Sequence, residues 1–286
     1  MSYILETRDL TQVYGAGTPF ERTALDHVNI QVKKGEILGV IGHTGSGKST
    51  LIQHFNGLLK PTSGEVLLSG HSIWDAKGKC DRKTRFAVGL VFQYPEYQLF
   101  EETIAKDIAF GPQNMGLSAT EVEKRVREAM DFAGLDPALA NHSPFALSGG
   151  QKRRVAIAGV IAMRPQVLIL DEPTAGLDPA GRDEILAQIQ DYHARSGATI
   201  LIVSHSMEDI ARMADRLLVM NRAHVMLCGT PREVFAHADE IVEAGLDIPE
   251  ITKVIRELNR RGIDLDPSIY TVEDAVRAIR AYKEGK

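Results

Sequence analysis

The sequence has few of the features that mark secreted or membrane-spanning chains. It contains only two cysteines, Cys80 and Cys228, which lie too far apart for a metal knuckle and are typical of ordinary thiols in a reducing cytosol. No apolar run approaches the ~20 residues needed to cross a bilayer. The first residues acquire charge too early for a signal peptide. These absences predict a cytoplasmic, globular protein.

An excess of positive charge is also missing. The chain has 33 Lys and Arg against 38 Asp and Glu, which gives a formal net charge of −5. Binding to nucleic acid through bulk electrostatics is therefore not expected. The 286 residues, 44% hydrophobic and 25% charged, are typical of a soluble chain with one large domain or two smaller ones.

A glycine-rich string follows a short apolar run that suits a buried parallel strand, and a helix is predicted after it. This order is the context that a phosphate loop requires, because the glycines let successive N–H groups face a polyphosphate at a helix N-terminus. Lys48 is expected to reach the β- and γ-phosphates, and the Ser49 hydroxyl to ligate Mg²⁺. The predicted loop consists of Gly42, His43, Thr44, Gly45, Ser46, Gly47, Lys48, Ser49 and Thr50.

A second glycine-rich string follows about a hundred residues later. It reads Leu147-Ser148-Gly149-Gly150-Gln151 and opens a predicted helix, whose first N–H groups and dipole favour an anion. A phosphate-binding protein needs only one anion-binding loop. The presence of two therefore indicates that the two glycine-rich strings have different roles.

Two adjacent carboxylates end a buried apolar strand. Asp171 follows Val167 to Leu170, at the strand end where α/β sheets place their ligands, and is predicted to hold the Mg²⁺ shell. Glu172 is expected to point away from Asp171 if the strand geometry persists, and to polarise the attacking water as a general base. The alternative is a solvated turn.

Three further polar or aromatic side chains fall at predicted strand ends or turns. Gln93 ends an apolar strand, where its amide is expected to reach Mg²⁺ and the water, although a polar strand end is an equal alternative. His205 follows the strand Thr199 to Val203 and is expected to donate to the γ-phosphate; a structural histidine is the alternative. Tyr14 precedes a glycine-rich turn and is predicted to stack on adenine, unless it is a core aromatic.

The order of predicted elements is α/β, then helical, then α/β again, so a helical insert at about 97–163 splits one nucleotide-binding core. Within the insert, Ser118 to Glu121 matches a capping box. Residues from about 236 to 286 show helical spacing of apolar side chains. We therefore expect an ATPase domain at 1–235 and a small helical extension at 236–286.

Together these motifs resemble the complete set of an ABC-type ATPase over residues 1 to about 235. The resemblance implies a P-loop NTPase (RecA-like) core with an antiparallel β subdomain, and a head-to-tail dimer. ATP would then lie between the phosphate loop of one subunit and Ser148, Gly149, Gly150 and Gln151 of the other. Asp178, in the string Ala175-Gly176-Leu177-Asp178, would couple the two sites.

A narrower resemblance rests on the strings Gln93 to Phe100, Asp107 to Pro112 and Ser143 to Phe145, and on the insert Thr18 to Glu21. They are similar to the ATPase subunits, of the second type, of energy-coupling factor transporters, which import vitamins or transition-metal ions. This implies a second ATPase subunit (a paralogue or a copy), an integral membrane scaffold and a membrane substrate-binding subunit. It also implies a peripheral position at the cytoplasmic face of the membrane.

Two other functions remain open at this stage. One is a soluble ABC ATPase that acts on DNA or ribosomes, although such proteins usually carry tandem units or long coiled-coil inserts, and the net charge here is negative. The other is a nucleotide-dependent regulatory module without turnover, which Glu172 and His205 disfavour.

Overall fold

The computed structural model describes residues 2–284, which form two β-sheets with helices around them. The strands are β1 (Tyr3–Tyr14), β2 (Arg22–Lys33), β3 (Ile37–Gly42), β4 (Ser63–Leu68), β5 (His71–Ser72), β6 (Val88–Val91), β7 (Val167–Asp171), β8 (Thr199–Val203), β9 (Arg216–Asn221) and β10 (His224–Gly229). The helices are α1 (Lys48–Phe55), α2 (Arg82–Ala87), α3 (Ile104–Asn114), α4 (Ala119–Phe132), α5 (Gly149–Ile161), α6 (Pro179–Ser196), α7 (Met207–Met213), α8 (Pro231–Ala236), α9 (Ala238–Glu243), α10 (Glu250–Arg260) and α11 (Val272–Glu284). Three short 3₁₀ helices also occur (Pro95–Gln98, Pro137–Asn141 and Pro144–Ala146).

The larger sheet has six strands in the order β10-β9-β3-β8-β7-β6. Neighbouring strands from β9 to β6 are parallel, and β10 pairs antiparallel with β9 at the edge. Strands β3 and β8 are buried along their whole length, which explains their continuous apolar sequences. The carboxyl ends of β3, β7 and β8 meet at one edge, because Asp171 is in register with Val203, and Val203 with Val40.

Side chains alternate between the two faces of this sheet and feed two separate cores. On one face α1 packs through Leu51, Ile52 and Phe55, together with the four-stranded antiparallel sheet of order β2-β1-β4-β5. The other face is covered by the helical insert and by α6 to α9. The α/β P-loop NTPase architecture with an antiparallel β subdomain and a helical insert is thus confirmed.

The chain beyond β10 divides its apolar side chains between two cores. Helices α8 and α9 pack into the main core through Val234, Phe235 and Ile241. Helices α10 and α11 form a small separate core around Ile255, with Leu265, Ile269 and Ala275. Helix α8 crosses position 235, where the sequence predicts a domain boundary.

The predicted capping box at α4 forms only in half. The Ser118 side chain accepts a hydrogen bond from the backbone N–H of Glu121, as expected. The Glu121 carboxylate instead accepts from Arg125 Nε at 2.9 Å, because an arginine one turn ahead offers a charged donor. Within residues 2–284 no helix is both long and apolar enough to cross a membrane.

Candidate active site

A cavity of about 390 Å³ opens at the carboxyl edge of the large sheet. It brings together eleven of the residues that the sequence predicts for the site, which come from five separate stretches of the chain. The predicted residues that line it are Tyr14, Thr44, Gly45, Gly47, Lys48, Ser49, Thr50, Gln93, Asp171, Glu172 and His205. Gly42, His43 and Ser46 belong to the same phosphate loop without lining the cavity.

The phosphate loop owes its shape to glycine at Gly47. This residue has φ +108°, and a Cβ there would collide with the Ala24 carbonyl oxygen, so any side chain would push the loop off β2. The loop then leads directly into α1, whose N-terminus points free N–H groups at the cavity.

Lys48 lies folded over the loop, where its Nζ donates to the carbonyls of Gly42 at 2.5 Å and His43 at 3.1 Å. Burial lowers the pKa of Lys48 from its ordinary value, and the nearby Glu172 and Asp171 oppose that shift. A partly desolvated ammonium held by carbonyls alone suits an anionic partner, because it has few solvent contacts to lose.

Asp171 and Glu172 converge on the cavity, which corrects the expectation that Glu172 points away from Asp171. The strand ends at Asp171, and Glu172 adopts left-handed backbone geometry with φ +50°. The alternation of a strand no longer applies at that point, so the second carboxylate turns towards the same space as the first.

Burial raises the pKa of Glu172 to about 7, with the neighbouring Asp171 adding to the shift. Burial raises the pKa of Asp171 as well, against the pull of Lys48. The Glu172 Oε1 atom is buried and accepts no hydrogen bond from the described residues. A carboxylate with a free oxygen and a pKa near neutrality suits a general base.

His205 lies beside Glu172, with its Nε2 atom 3.3 Å from Glu172 Oε1. Burial lowers the pKa of His205, and the charge of Lys48 lowers it further, so the neutral imidazole is favoured at pH 7. Gln93, two residues beyond β6, is exposed and also lines the cavity. The Tyr14 hydroxyl lies 3.4 Å from Thr50 Oγ1, and the residue is 41% exposed, as an aromatic side chain that stacks on a planar base must be.

Three residues of the cavity were not predicted: Arg22 and Ala24 at the start of β2, and Val203 at the end of β8. Arg22 is in register with Tyr14 across the β1–β2 pair, so both side chains stand on the same face of the sheet. Its Nη2 atom donates to the Gly45 carbonyl at 3.4 Å, and no carboxylate among the described residues pairs with it. Arg22 could have been predicted only from the register of the β1–β2 hairpin, which pairs it with Tyr14.

The oxygen donors of the cavity fit a magnesium ion. The Ser49 hydroxyl, the Gln93 amide and the Asp171 carboxylate all line it, and such hard ligands suit Mg²⁺ when phosphates and waters complete the shell. Across residues 2–284, no cluster of three or more His, Cys, Asp or Glu side chains is arranged to hold a metal by itself.

The second glycine-rich string does not line this cavity. Ser148 caps α5: its Oγ accepts from Gln151 N at 3.3 Å, while Gln151 Oε1 accepts from Ser148 N at 3.1 Å. A Cβ on Gly149 or Gly150 would meet nothing within 4 Å, so the start of this helix faces open space. Asp178 is exposed as well and caps α6 by accepting from Gly181 N at 2.7 Å. The two predicted anion-binding loops are therefore separate surfaces of one chain.

A larger cavity of about 660 Å³ is lined by residues of α4, α5 and α6 and of the segments that follow α5 and α6. Its three arginines already pair with carboxylates, which leaves them less available to an anion. The pairs are Arg125 with Glu121, Arg164 with Glu128, and Arg195 with Asp131.

Comparisons with known proteins agree with this geometry. The family model for "ABC transporter" matches residues 25–175. An energy-coupling factor transporter ATP-binding protein EcfA2 from Caldanaerobacter subterraneus subsp. tengcongensis is 53% identical over 281 residues, covering 98% of each chain. The protein of the same name from Clostridium acetobutylicum is 55% identical over 276 residues, covering 96% of each.

Two solved structures are also similar. CbiO1 from Clostridium perfringens, part of the ABC transporter complex cbiONQ, aligns with a TM-score of 0.75 at 41% identity, covering 91% of this chain and 96% of that one. The ATP-binding cassette MJ0796, solved as a dimer in a post-hydrolysis state with ADP and Pi, aligns with a TM-score of 0.69 at 29% identity, covering 79% of this chain and 98% of that one.

The chain is therefore a member of the ABC transporter family of ATPases. Within that family it belongs with the EcfA2-type ATP-binding proteins of energy-coupling factor transporters, to which it is similar along nearly its whole length.

Proposed function

We propose that this chain is the ATP-hydrolysing motor subunit of an energy-coupling factor importer. ATP binding and hydrolysis in a head-to-tail ATPase dimer would drive uptake of a vitamin or a transition-metal ion. One observation carries the proposal most directly: the cavity of Lys48 and Glu172 lacks the second anion-binding loop, which stands exposed on another face of the same chain. A site divided in this way requires a partner subunit.

The residues of the cavity have separate roles in this proposal. The phosphate loop and Lys48 bind the phosphates, and Tyr14 stacks on the adenine. Ser49, Gln93 and Asp171 would hold Mg²⁺, which when bound neutralises charge on the phosphate oxygens. Glu172 takes a proton from the water that attacks the γ-phosphorus, while the bond to the β–γ bridging oxygen breaks. His205 orients Glu172 and donates to the γ-phosphate.

The other half of each site comes from the partner ATPase. Ser148, Gly149, Gly150 and Gln151 would present the free N–H groups and dipole of α5 to the γ-phosphate bound by the partner. Asp178 would link the two sites across the interface. Residues 236–286 would help hold the dimer, and their exposed apolar side chains support this: Val242, Val254, Val272 and Val276.

A membrane scaffold subunit would dock on the helical insert. Aromatic side chains after Gln93 are strongly exposed there, with Tyr97 at 84% and Phe100 at 56%. Phe100 and Phe110 pack edge to face with ring centroids 4.9 Å apart, and Phe145 is also exposed. Such a cluster is typical of an interaction surface. A separate membrane subunit would bind the transported molecule, and this chain would lie at the cytoplasmic face of the membrane.

Reconstitution tests the proposal. The chain is purified from membranes together with its integral membrane partners, and the complex is placed in vesicles with ATP on the side of the ATPases. We expect ATP-dependent accumulation of a vitamin or metal ion, which Lys48→Ala abolishes. Recovery of a stable ATPase without any membrane partner would contradict the proposal. The alternative of an ATPase that acts on DNA or ribosomes is not favoured, since the proteins that are similar to this chain along nearly its whole length are transporter subunits.

A further inference from the structure

Arg153 is the most highly connected buried charge outside the cavity. It lies near the start of α5, two residues after Gln151, and its side chain is only 3% exposed. Its guanidinium makes four hydrogen bonds in a planar fork. Two of them reach the Glu96 carboxylate, from Nε at 3.1 Å and from Nη2 at 2.8 Å.

The other two hydrogen bonds of Arg153 reach the loop after β7. Nη1 donates to the carbonyl oxygens of Pro173 at 3.2 Å and Ala175 at 2.7 Å. These carbonyls lie between Glu172 and Asp178 in the sequence. The loop that carries Glu172, the proposed base, is therefore hydrogen-bonded to the Arg153 side chain of α5, beginning one residue after Glu172.

Three functional stretches meet at this one guanidinium. Glu96 belongs to the 3₁₀ helix Pro95–Gln98, three residues after Gln93. Pro173 and Ala175 belong to the loop of Glu172, and Arg153 itself belongs to the helix that Ser148 begins. Only arginine has donors spaced to serve a carboxylate and two carbonyls at once; a lysine ammonium is a single point charge.

We propose that Arg153 is a positioning residue that links the two half-sites of this chain. Its hydrogen bonds connect the Glu172 loop, which belongs to the chain's own ATP site, to the start of α5, which completes the partner's site. They also connect the stretch that follows Gln93 to both of these elements. Engagement of α5 with the partner's nucleotide then fixes the position of Glu172. This inference rests on the proposed function and adds a route of communication to it.

The test compares Arg153→Lys with Arg154→Lys in the purified complex. Lysine at 153 keeps the positive charge beside Glu96 but cannot hold both carbonyls. Arg154 is the matched control, because it is adjacent on α5 and pairs with Glu184, whose side chain is 54% exposed. Four quantities are measured: the ATP dissociation constant, kcat, the Hill coefficient for ATP and the thermal midpoint.

For Arg153→Lys we expect kcat to fall by on the order of tenfold or more, since small misplacement of a catalytic group is costly. The Hill coefficient should approach one, while the ATP dissociation constant stays within about twofold, because no contact with nucleotide is removed. Arg154→Lys should resemble the wild type in all four. Should Arg153→Lys fail to fold, Glu96→Gln serves instead: it leaves the carbonyl contacts in place and should lower the Hill coefficient with a smaller loss of kcat.

Wild-type cooperativity and kcat in Arg153→Lys would overturn the inference and leave the proposed function intact. A loss of kcat with an unchanged Hill coefficient and a lower thermal midpoint would show a structural role only and would also overturn it. A wild-type complex that does not hydrolyse ATP would remove the proposed function, and the inference with it.

Discussion

His205 contacts both oxygens of the Glu172 carboxylate. Its Nε2 atom lies 3.3 Å from Oε1, and its backbone N–H donates to Oε2 at 3.4 Å. The carboxylate that faces the cavity is therefore oriented by one residue of the neighbouring strand end. This arrangement separates the roles of proton acceptor and of orienting group, and each can be tested by substitution.

Glu172→Gln should remove turnover while preserving ATP binding. Glutamine fills the same space but cannot accept the proton of the attacking water, so we expect kcat to fall by about 10²- to 10⁴-fold. Phosphate release gives kcat, and equilibrium binding of a fluorescent ATP analogue gives the affinity. Retention of more than about a tenth of wild-type kcat would contradict the role of general base.

His205→Ala should also lower kcat, by about 10- to 100-fold, because Glu172 loses the imidazole beside it while the backbone N–H remains. The informative variant is the double substitution with Glu172→Gln. If His205 acts largely through Glu172, the double variant hydrolyses ATP no more slowly than Glu172→Gln alone. Additive losses in this double-mutant cycle would instead assign His205 an independent contact with the substrate.

Arg22→Ala should weaken binding of phosphorylated nucleotides. The guanidinium has no carboxylate partner in the described chain and lines the cavity beside the phosphate loop, so we expect ATP and ADP affinity to fall by about 3- to 10-fold. Adenosine, which lacks phosphates, should bind as before. Arg8→Ala is the control for net charge, since Arg8 is 61% exposed and does not line the cavity.

Stability should fall in mild acid because of His54, which is fully buried in α1. Its Nδ1 atom lies 3.0 Å from the Leu59 carbonyl, Nε2 has no described partner, and burial lowers its pKa to about 4. The unfolded chain binds a proton near pH 6.5, whereas the folded chain resists it until about pH 4. The free energy of unfolding therefore declines as the pH falls through this window, by up to about 3 kcal/mol.

Urea unfolding at pH 7 and pH 5 measures this decline. His54→Asn keeps a donor for the Leu59 carbonyl and cannot titrate, so its difference between the two pH values should be smaller than that of the wild type. The same substitution at the exposed His71 should leave the wild-type difference unchanged. Equal pH dependence in all three proteins would rule out His54 as its source.

Local sequence patterns were sufficient for the elements that build the site. The phosphate loop, the apolar strands before Gln93, Asp171 and His205, and the helix at Ser148 all follow from short-range rules of glycine spacing, burial and capping. Their meeting at one edge follows from the parallel topology. The assigned roles of the individual site residues stay predictions until they are tested.

Other features depended on geometry that no local pattern encodes. A single left-handed φ at Glu172 turned its carboxylate towards the cavity, and strand register brought Arg22 opposite Tyr14. The pair of Arg153 and Glu96 joins positions 57 residues apart, with no periodicity between them. At Glu121, competition from Arg125 overrode the capping pattern.

The open space in front of Gly149 and Gly150 also has a consequence for engineering. Nothing in the subunit itself prevents a methyl group at either position, and alanine favours a helix over glycine by up to about 1 kcal/mol. A screen of the lone subunit for heat resistance would therefore favour alanine at both sites. In the proposed dimer, the added methyl groups would occupy the surface assigned to the partner's nucleotide, so a more heat-resistant subunit would assemble into a weaker motor.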